Sequence, residues 1–413
     1  MEKIMSHGSE LVSEVQKHWL LHEARRLVEF ATGSVDPYGS IGWLDDQGGR
    51  QEGKPLQIYI GCRMTHVFSI GEALWPNHFR SHLEAGLSAI DSVFADPVHG
   101  GWFHSDDGQP AAYPKTAYDH AFVTLAAASA AARGITAGDR LLHRALHMLD
   151  EHFWDETQGL VREAFSRDWK LSEPYRGANS NMHAVEAFLA AADVTGDHTW
   201  RARALRIVDH IVNGWARPNN WRIVEHFDEN WQPLLDYNIG DAAHPFRPYG
   251  ATVGHGMEWA RLCLQLQAAT PGAESDWLVE SATALYARAK ADGWARDGAD
   301  GFVYTVDWDG CPVVHERMHW VVAEATAAAA ALHRVTGEHA YAEDFHNWWN
   351  YIRSYLLDRR HGSWHHELSR TNQPSRTVWC GKPDVYHALQ ACLLPQLPLR
   401  PSIALSVTPS LLG

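Results

Sequence analysis

Cysteine is scarce in this chain. Five residues in 413 (Cys62, Cys263, Cys311, Cys380 and Cys392) are scattered without the short paired spacing of a zinc site or a disulfide framework. An odd, dispersed set reads as free thiols in a reducing cytoplasm. Positive charge is also short, with 35 Lys and Arg against 50 Asp and Glu and a formal charge of −15. That balance argues against nucleic acid and anionic membrane as partners, because both select basic surfaces. No apolar run is long enough to span a bilayer. The opening "MEKIMSHGSELVSEVQ" is too polar for the core of a signal peptide. Neither a phosphate-cradling Gly-rich loop nor zincin spacing is present. These absences predict a cytoplasmic globular protein.

What the chain does have is 19 Trp and 27 His. The flat face of Trp suits the C–H face of a sugar, but large aromatics also fill large cores, and composition alone favours the core. Periodicity is more informative. An alternating stretch closed by a turn recurs six times, starting at Gly42, Gly101, Gly159, Asn220, Gly301 and Gly362, at intervals of 59, 58, 61, 81 and 61 residues. Each reads as a short strand or hairpin. Between hairpins lie two helical patterns. One is small and apolar all round, such as "KTAYDHAFVTLAAASAAA". The next has a polar face, such as "DRLLHRALHMLDEHFW" with Arg140, Arg144 and Asp150. With "SEVQKHWLLHEARRLVEFA" at the start, the count is twelve. Six pairs without polar end caps predict an all-α (α/α)6 barrel with short β-hairpins between helix pairs, rather than an open solenoid. No low-complexity linker divides the chain, so residues 1–413 read as one catalytic domain. The longest interval holds "LLDYNIGDAAHPFRPYG", an extra loop of the kind that covers a site.

Polar residues interrupt the apolar helices at one corresponding point, just after each hairpin. They are Arg63 and His66; Tyr118, Asp119 and His120; Asn179, His183 and Glu186; His255 and Glu258; Trp320 and Glu324; and Asp384 and His387. In a closed ring these starts meet at one mouth. A lone histidine on an apolar helix is usually a satisfied core residue, and His66 and His120 are read that way. A carboxylate near a helix start also has a structural explanation in the helix dipole. Six coincidences at corresponding positions favour a shared pocket. The pairs run His-x-x-Glu, the reverse of the di-iron helix motif, and further bridging carboxylates are not evident. The expectation is therefore no metal and no cofactor.

Two histidines beside one substrate suit proton transfer near neutral pH, since imidazole titrates near ~6.5. Opening an aldose ring and moving a proton between C2 and C1 needs only such groups. A glycosidase would want two carboxyl groups, a role into which Glu258 and Glu324 can be misread. A sugar-binding protein without turnover is the non-catalytic alternative, disfavoured because both histidines and their carboxylates are present.

The stretches "CRMTHVFS", "YRGANSNMHAVEAFL", "YNIGDAAHPFRPYGATVGHGMEWARL", "DGADGFVYTVDWDG" and "GKPDVYHALQ" resemble the N-acylglucosamine 2-epimerase superfamily, in its aldose–ketose isomerase branch, over nearly the whole chain. The resemblance implies a cofactor-independent enzyme acting on a monosaccharide. His387 matches the histidine that carries a proton between C2 and C1 through a cis-enediol(ate). His255 matches the one assigned to ring opening, or to the opposite-face proton in epimerases. Glu258 and Glu324 match carboxylates that orient and tune these histidines. Arg63, Asn179 and His183 match residues that bind sugar hydroxyls, and Tyr59, Tyr118, Trp320 and Trp379 are expected as pocket walls. In sulfoquinovose isomerases an Arg and two Gln grip the sulfonate; Pro245, His366 and Pro383 stand at the corresponding positions here. Proline has no donor to offer. The expectation is interconversion of D-mannose and D-fructose, with D-lyxose and D-xylulose as a side activity. Sulfoquinovose isomerisation and mannose–glucose 2-epimerisation are the alternatives.

Overall fold

Alanine-rich helices can approach one another closely, and in the computed structural model they form the inner wall of a ring. The structure describes residues 11–107, 109, 114–272 and 275–412. The first ten residues, within the segment judged too polar for a signal peptide, and residues 108 and 110 of the second predicted hairpin lie outside the described residues. The chain runs α1 (Glu14–Ala31), α2 (Ile58–Leu74), α3 (Arg80–Ser92), α4 (Ala117–Ala131), α5 (Thr136–Met148) and α6 (Ala178–Thr195). It continues with α7 (His198–Val208), α8 (Val253–Ala269), α9 (Trp277–Gly293), α10 (His319–Thr336), α11 (His339–Tyr351) and α12 (Tyr386–Leu393). Among the described residues these are the twelve α-helices of eight residues or more.

Even-numbered helices are inner and odd-numbered ones outer. In α10 every residue from Val321 to Leu332 is buried, a run of Ala broken by few larger side chains. In α5 Leu141, Leu142, Ala145 and Leu146 face inward, while Arg140 and Arg144 are exposed. Each inner helix packs on the next, from α2 through α4, α6, α8 and α10 to α12, and α12 packs back on α2. The ring is closed: an (α/α)6 barrel. Tight links keep the pairs antiparallel. Gly196 and Gly337, both at φ near +75° (75° and 74°), end α6 and α10 in the left-handed conformation that only glycine adopts without strain. The outer helix then starts within two residues. No helix is long and apolar enough to cross a membrane among the described residues.

The hairpins differ from expectation in one respect. The strand before each inner helix pairs antiparallel with the hairpin of the following repeat, rather than only within its own. Leu56–Gln57 pairs with Ser105–Asp106, Lys115–Thr116 with Ala164–Phe165, and Tyr175–Gly177 with His226–Asp228. Ala251–Thr252 pairs with Thr305–Val306, and Arg317–Met318 with Glu367–Leu368. The last repeat joins the first through Lys382 N donating to Leu44 O at 2.9 Å and Trp43 Nε1 donating to Cys380 O at 3.0 Å. Strands of two or three residues cannot hold a sheet alone. Here they act as clasps between neighbouring repeats, at the end of the barrel where the inner helices begin.

Candidate active site

All six inner helices start at the clasped end, and their first three turns, or in the case of Asp384 the residues just before the helix, carry the polar residues singled out above. They surround a cavity of about 710 Å³, part of it open to solvent. Tyr59, Arg63, Tyr118, Asn179, His183, His255, Glu258, Trp320, Trp379 and His387 all line it. Glu324 does not; it lies fully buried behind His387. His66 and His120 are core residues, bonded through Nδ1 to Ser129 Oγ and Thr116 O, each at 2.7 Å.

His387 donates from Nδ1 to Glu324 Oε1 at 3.0 Å. An ionised carboxylate only accepts, so this contact assigns the Nδ1–H tautomer and leaves Nε2 with a lone pair. Burial pushes the His387 pKa below the usual imidazole value, and Glu324 offsets part of that shift. Glu324 is itself desolvated, yet Arg261 and His387 hold it below its ordinary value. His255 has the same arrangement from a partner that the helix-start pattern did not reveal. Its Nδ1 lies 2.9 and 3.0 Å from the two oxygens of Glu225, and Glu225 Oε1 also accepts from Thr252 N at 3.2 Å. Glu225 stands in the fourth hairpin, three residues after Arg222 in "NWRIVEHF", outside any helix start.

Glu258 was expected to tune a histidine. Instead it accepts from Arg261 Nη2 at 3.3 Å, while Arg261 Nε donates to Glu324 Oε2 at 2.7 Å. Burial, and then the nearby Glu324 charge, push the Glu258 carboxyl well above its usual range. The floor therefore sets two carboxyl groups with opposed shifts, Glu324 lowered and Glu258 raised, about one fixed guanidinium. Two trios of ligand atoms, His183 with Glu186 and Glu258, and Glu258 with Glu324 and His387, lie within 4.8 Å of one another. Arg261, in contact with two of these carboxylates, already supplies the positive charge a metal would bring.

Trp320 joins the two histidines. Its ring centroid lies 5.3 Å from that of His255 and 5.7 Å from that of His387. The ring can lie there because Gly254 has no side chain: a Cβ would sit 2.3 Å from the Trp320 ring. On the other side Arg63 donates to Asp384 Oδ2 at 3.1 Å and to Tyr118 Oη at 2.9 Å. Burial opposes the Arg63 charge, but Tyr118 and Asp384 more than offset it and raise its pKa. Several buried polar atoms in residues lining the cavity have no hydrogen-bond partner among the described residues: Tyr59 Oη, Arg63 Nε, Asn179 Oδ1 and His319 Nε2. Such atoms are costly unless a ligand or water meets them, and a polyhydroxylated molecule would. The long loop of the fourth interval closes the outer side. Its Pro245, Phe246 and Pro248 line the cavity, and Phe246 meets Tyr59, Tyr118 and Trp379 edge-on at 5.6, 6.1 and 5.3 Å.

The same fold occurs in the crystal structure of a D-mannose isomerase, with a TM-score of 0.86 at 27% identity over 93% of this chain and 98% of that one. The cellobiose 2-epimerase from Spirochaeta thermophila DSM 6192 shares the fold at 21% identity, with a TM-score of 0.80 over 92% and 95% of the two chains. A D-mannose isomerase from Thermobifida fusca is 49% identical over 94% of this chain and 95% of its own length. Another from Pseudomonas cannabina pv. alisalensis is 45% identical over 96% of each. Barrel, pocket and relatives together define an enzyme of the sugar isomerase and epimerase class. More particularly, residues 39–391 match the N-acylglucosamine 2-epimerase family, and the chain belongs to it.

Proposed function

We propose that this enzyme interconverts D-mannose and D-fructose without a bound cofactor. The observation that carries the reading is the pair of carboxylate-backed histidines leaning on one indole, His255 with Glu225 and His387 with Glu324, both against Trp320. Support for the substrate comes from the two relatives named D-mannose isomerase, which match along nearly their full length.

In this reading Arg63, Asn179 and His183 bind sugar hydroxyls. Tyr59, Tyr118, Trp320 and Trp379 wall the ring. His255 assists ring opening by relaying the O1 proton to the ring oxygen as the bond from C1 to that oxygen breaks, leaving an aldehyde at C1. The aldehyde acidifies the C2 hydrogen, which Nε2 of His387 removes. The C–H electron pair becomes the C1–C2 double bond, and the former carbonyl oxygen takes the negative charge of the enediolate. Glu324 stabilises the imidazolium that forms. Arg63, held charged, faces the developing oxyanion. His387 returns the same proton to C1 while the O2 proton passes to O1 and C2–O2 becomes the carbonyl, giving the ketose. Burial, raising the Glu258 pKa, favours its uncharged form beside these groups, which limits negative charge against the enediolate. Pro245, His366 and Pro383 line the cavity where an anionic head would need donors, which favours a neutral C6 hydroxyl and leaves room for D-lyxose and D-xylulose as a side activity.

The test is incubation of the purified protein with mannose, glucose or sulfoquinovose in deuterium oxide, with and without chelator, followed by NMR. Fructose from mannose with chelator present is expected. Glucose without fructose would replace the reading with a 2-epimerase, and more efficient turnover of sulfoquinovose would overturn the substrate. Loss of activity in chelator, restored by metal, would overturn the cofactor-free mechanism. His387→Asn should lower isomerisation by at least about 10²-fold while sugar binding stays measurable.

A further inference from the structure

His319, the first residue of α10, was not among the residues expected in the site. Its backbone N–H donates to His366 O at 3.0 Å, and its Nδ1 lies 3.2 Å from the same oxygen. A carbonyl oxygen only accepts, so Nδ1 carries the hydrogen and Nε2 bears the lone pair. The ring stacks on His366 with centroids 3.8 Å apart and planes at 25°, which fixes its orientation. Nε2 is buried and has no hydrogen-bond partner among the described residues, in a residue that lines the cavity and is only 5% exposed. Burial, then His366 and His387, hold its pKa well below the ordinary value, so the ring stays neutral. Its centroid is 6.5 Å from that of His387, within the span of one monosaccharide.

We infer that His319 is a specificity-determining residue: its Nε2 accepts a hydrogen bond from the hydroxyl on C3 or C4 of the bound aldose. The assignment rests on the isomerase reading above, which puts C2 and C1 at His387. A fixed lone pair would repel the enediolate oxygens on C1 and C2, so the hydroxyl it meets belongs to the unreacting carbons beyond them. A sugar lacking that hydroxyl leaves a buried nitrogen unpaired, the strong form of discrimination by a hydrogen-bonding site.

The experiment compares D-mannose with 3-deoxy- and 4-deoxy-D-mannose in the wild-type enzyme, in His319→Phe and in His319→Gln, which keeps an acceptor. One of the two deoxy sugars should lose about tenfold or more in kcat/KM with the wild type. In His319→Phe that penalty should vanish, because the acceptor is gone, and KM for mannose should rise about tenfold with a smaller change in kcat. His319→Gln should restore part of both effects. The assignment is overturned if the wild type treats both deoxy sugars like mannose, a comparison needing no variant. It is equally overturned if the penalty persists in a His319→Phe protein with a wild-type melting curve. A wild type that makes no fructose from mannose would defeat the isomerase reading instead. Calorimetric binding of the three sugars to the same proteins would then decide the hydrogen bond by itself.

Discussion

Glu225 approaches His255 through both carboxylate oxygens, at 2.9 and 3.0 Å, across 30 residues of chain and from a hairpin to a helix start. It is the counterpart of the Glu324–His387 contact, which crosses 63 residues. In each pair the carboxylate fixes which ring nitrogen carries the hydrogen. Glu225→Gln keeps the volume but removes the charge and permits the other tautomer. The expected result is a fall in kcat of roughly 10- to 100-fold with a smaller change in KM. Steady-state kinetics with a melting curve checks it, since a purely structural role would lower stability and leave kcat per folded enzyme intact.

The acid side of the pH profile should report His387. As a base it must be neutral, and burial lowers its pKa, so the neutral form persists to lower pH than for a free imidazole. Activity is then lost as pH falls through a value below ~6.5, the ordinary histidine pKa. A kcat/KM profile with its acid limb above ~7 would contradict this.

Stability should also fall with acid. His66, His120, His183 and His366 are buried, and burial lowers each pKa to about 4. The unfolded chain takes up these protons near ~6.5 while the native state does not. Their contribution is thus fully present above ~6.5 and is lost progressively as pH falls toward about 4, by roughly 1.4 kcal/mol per histidine per pH unit at most. Urea midpoints at pH 7.5, 6 and 5 should decline in that order; a flat series would contradict the burial argument.

Gly254→Ala tests the indole that spans the histidines. A Cβ 2.3 Å from the Trp320 ring must displace it, costing roughly 1–3 kcal/mol of stability and loosening the wall behind both imidazoles. Activity should fall even at temperatures where circular dichroism shows the variant folded.

Much of this was legible in the chain. The apolar circumference of "TAYDHAFVTLAAASAAA", against the one-sided pattern of the next helix, separated inner from outer helices, because burial on all sides and on one side demand different periodicities. Polar residues at six helix starts located the mouth of the barrel, since a closed ring brings equivalent ends together. Glu225 and Arg261 escaped that reasoning. Glu225 sits just before the strand His226–Asp228, where alternation says only that a residue faces in or out. Arg261 lies one turn deeper in α8, buried among Glu258, Glu324 and Gln265, where no spacing rule separates it from an ordinary helix residue.

The amino-acid order by itself determined the repeat, the twelve helices, the family and the residues offered at the mouth. These depend on local periodicity and on motifs a few residues long. Only the tertiary structure decided which carboxylate serves which histidine, that Glu258 meets an arginine instead, and that His319 in the cavity wall keeps a buried nitrogen without a hydrogen-bond partner. Those outcomes depend on distances of about three ångströms between segments tens to hundreds of residues apart, which closure of the ring sets and no local pattern encodes.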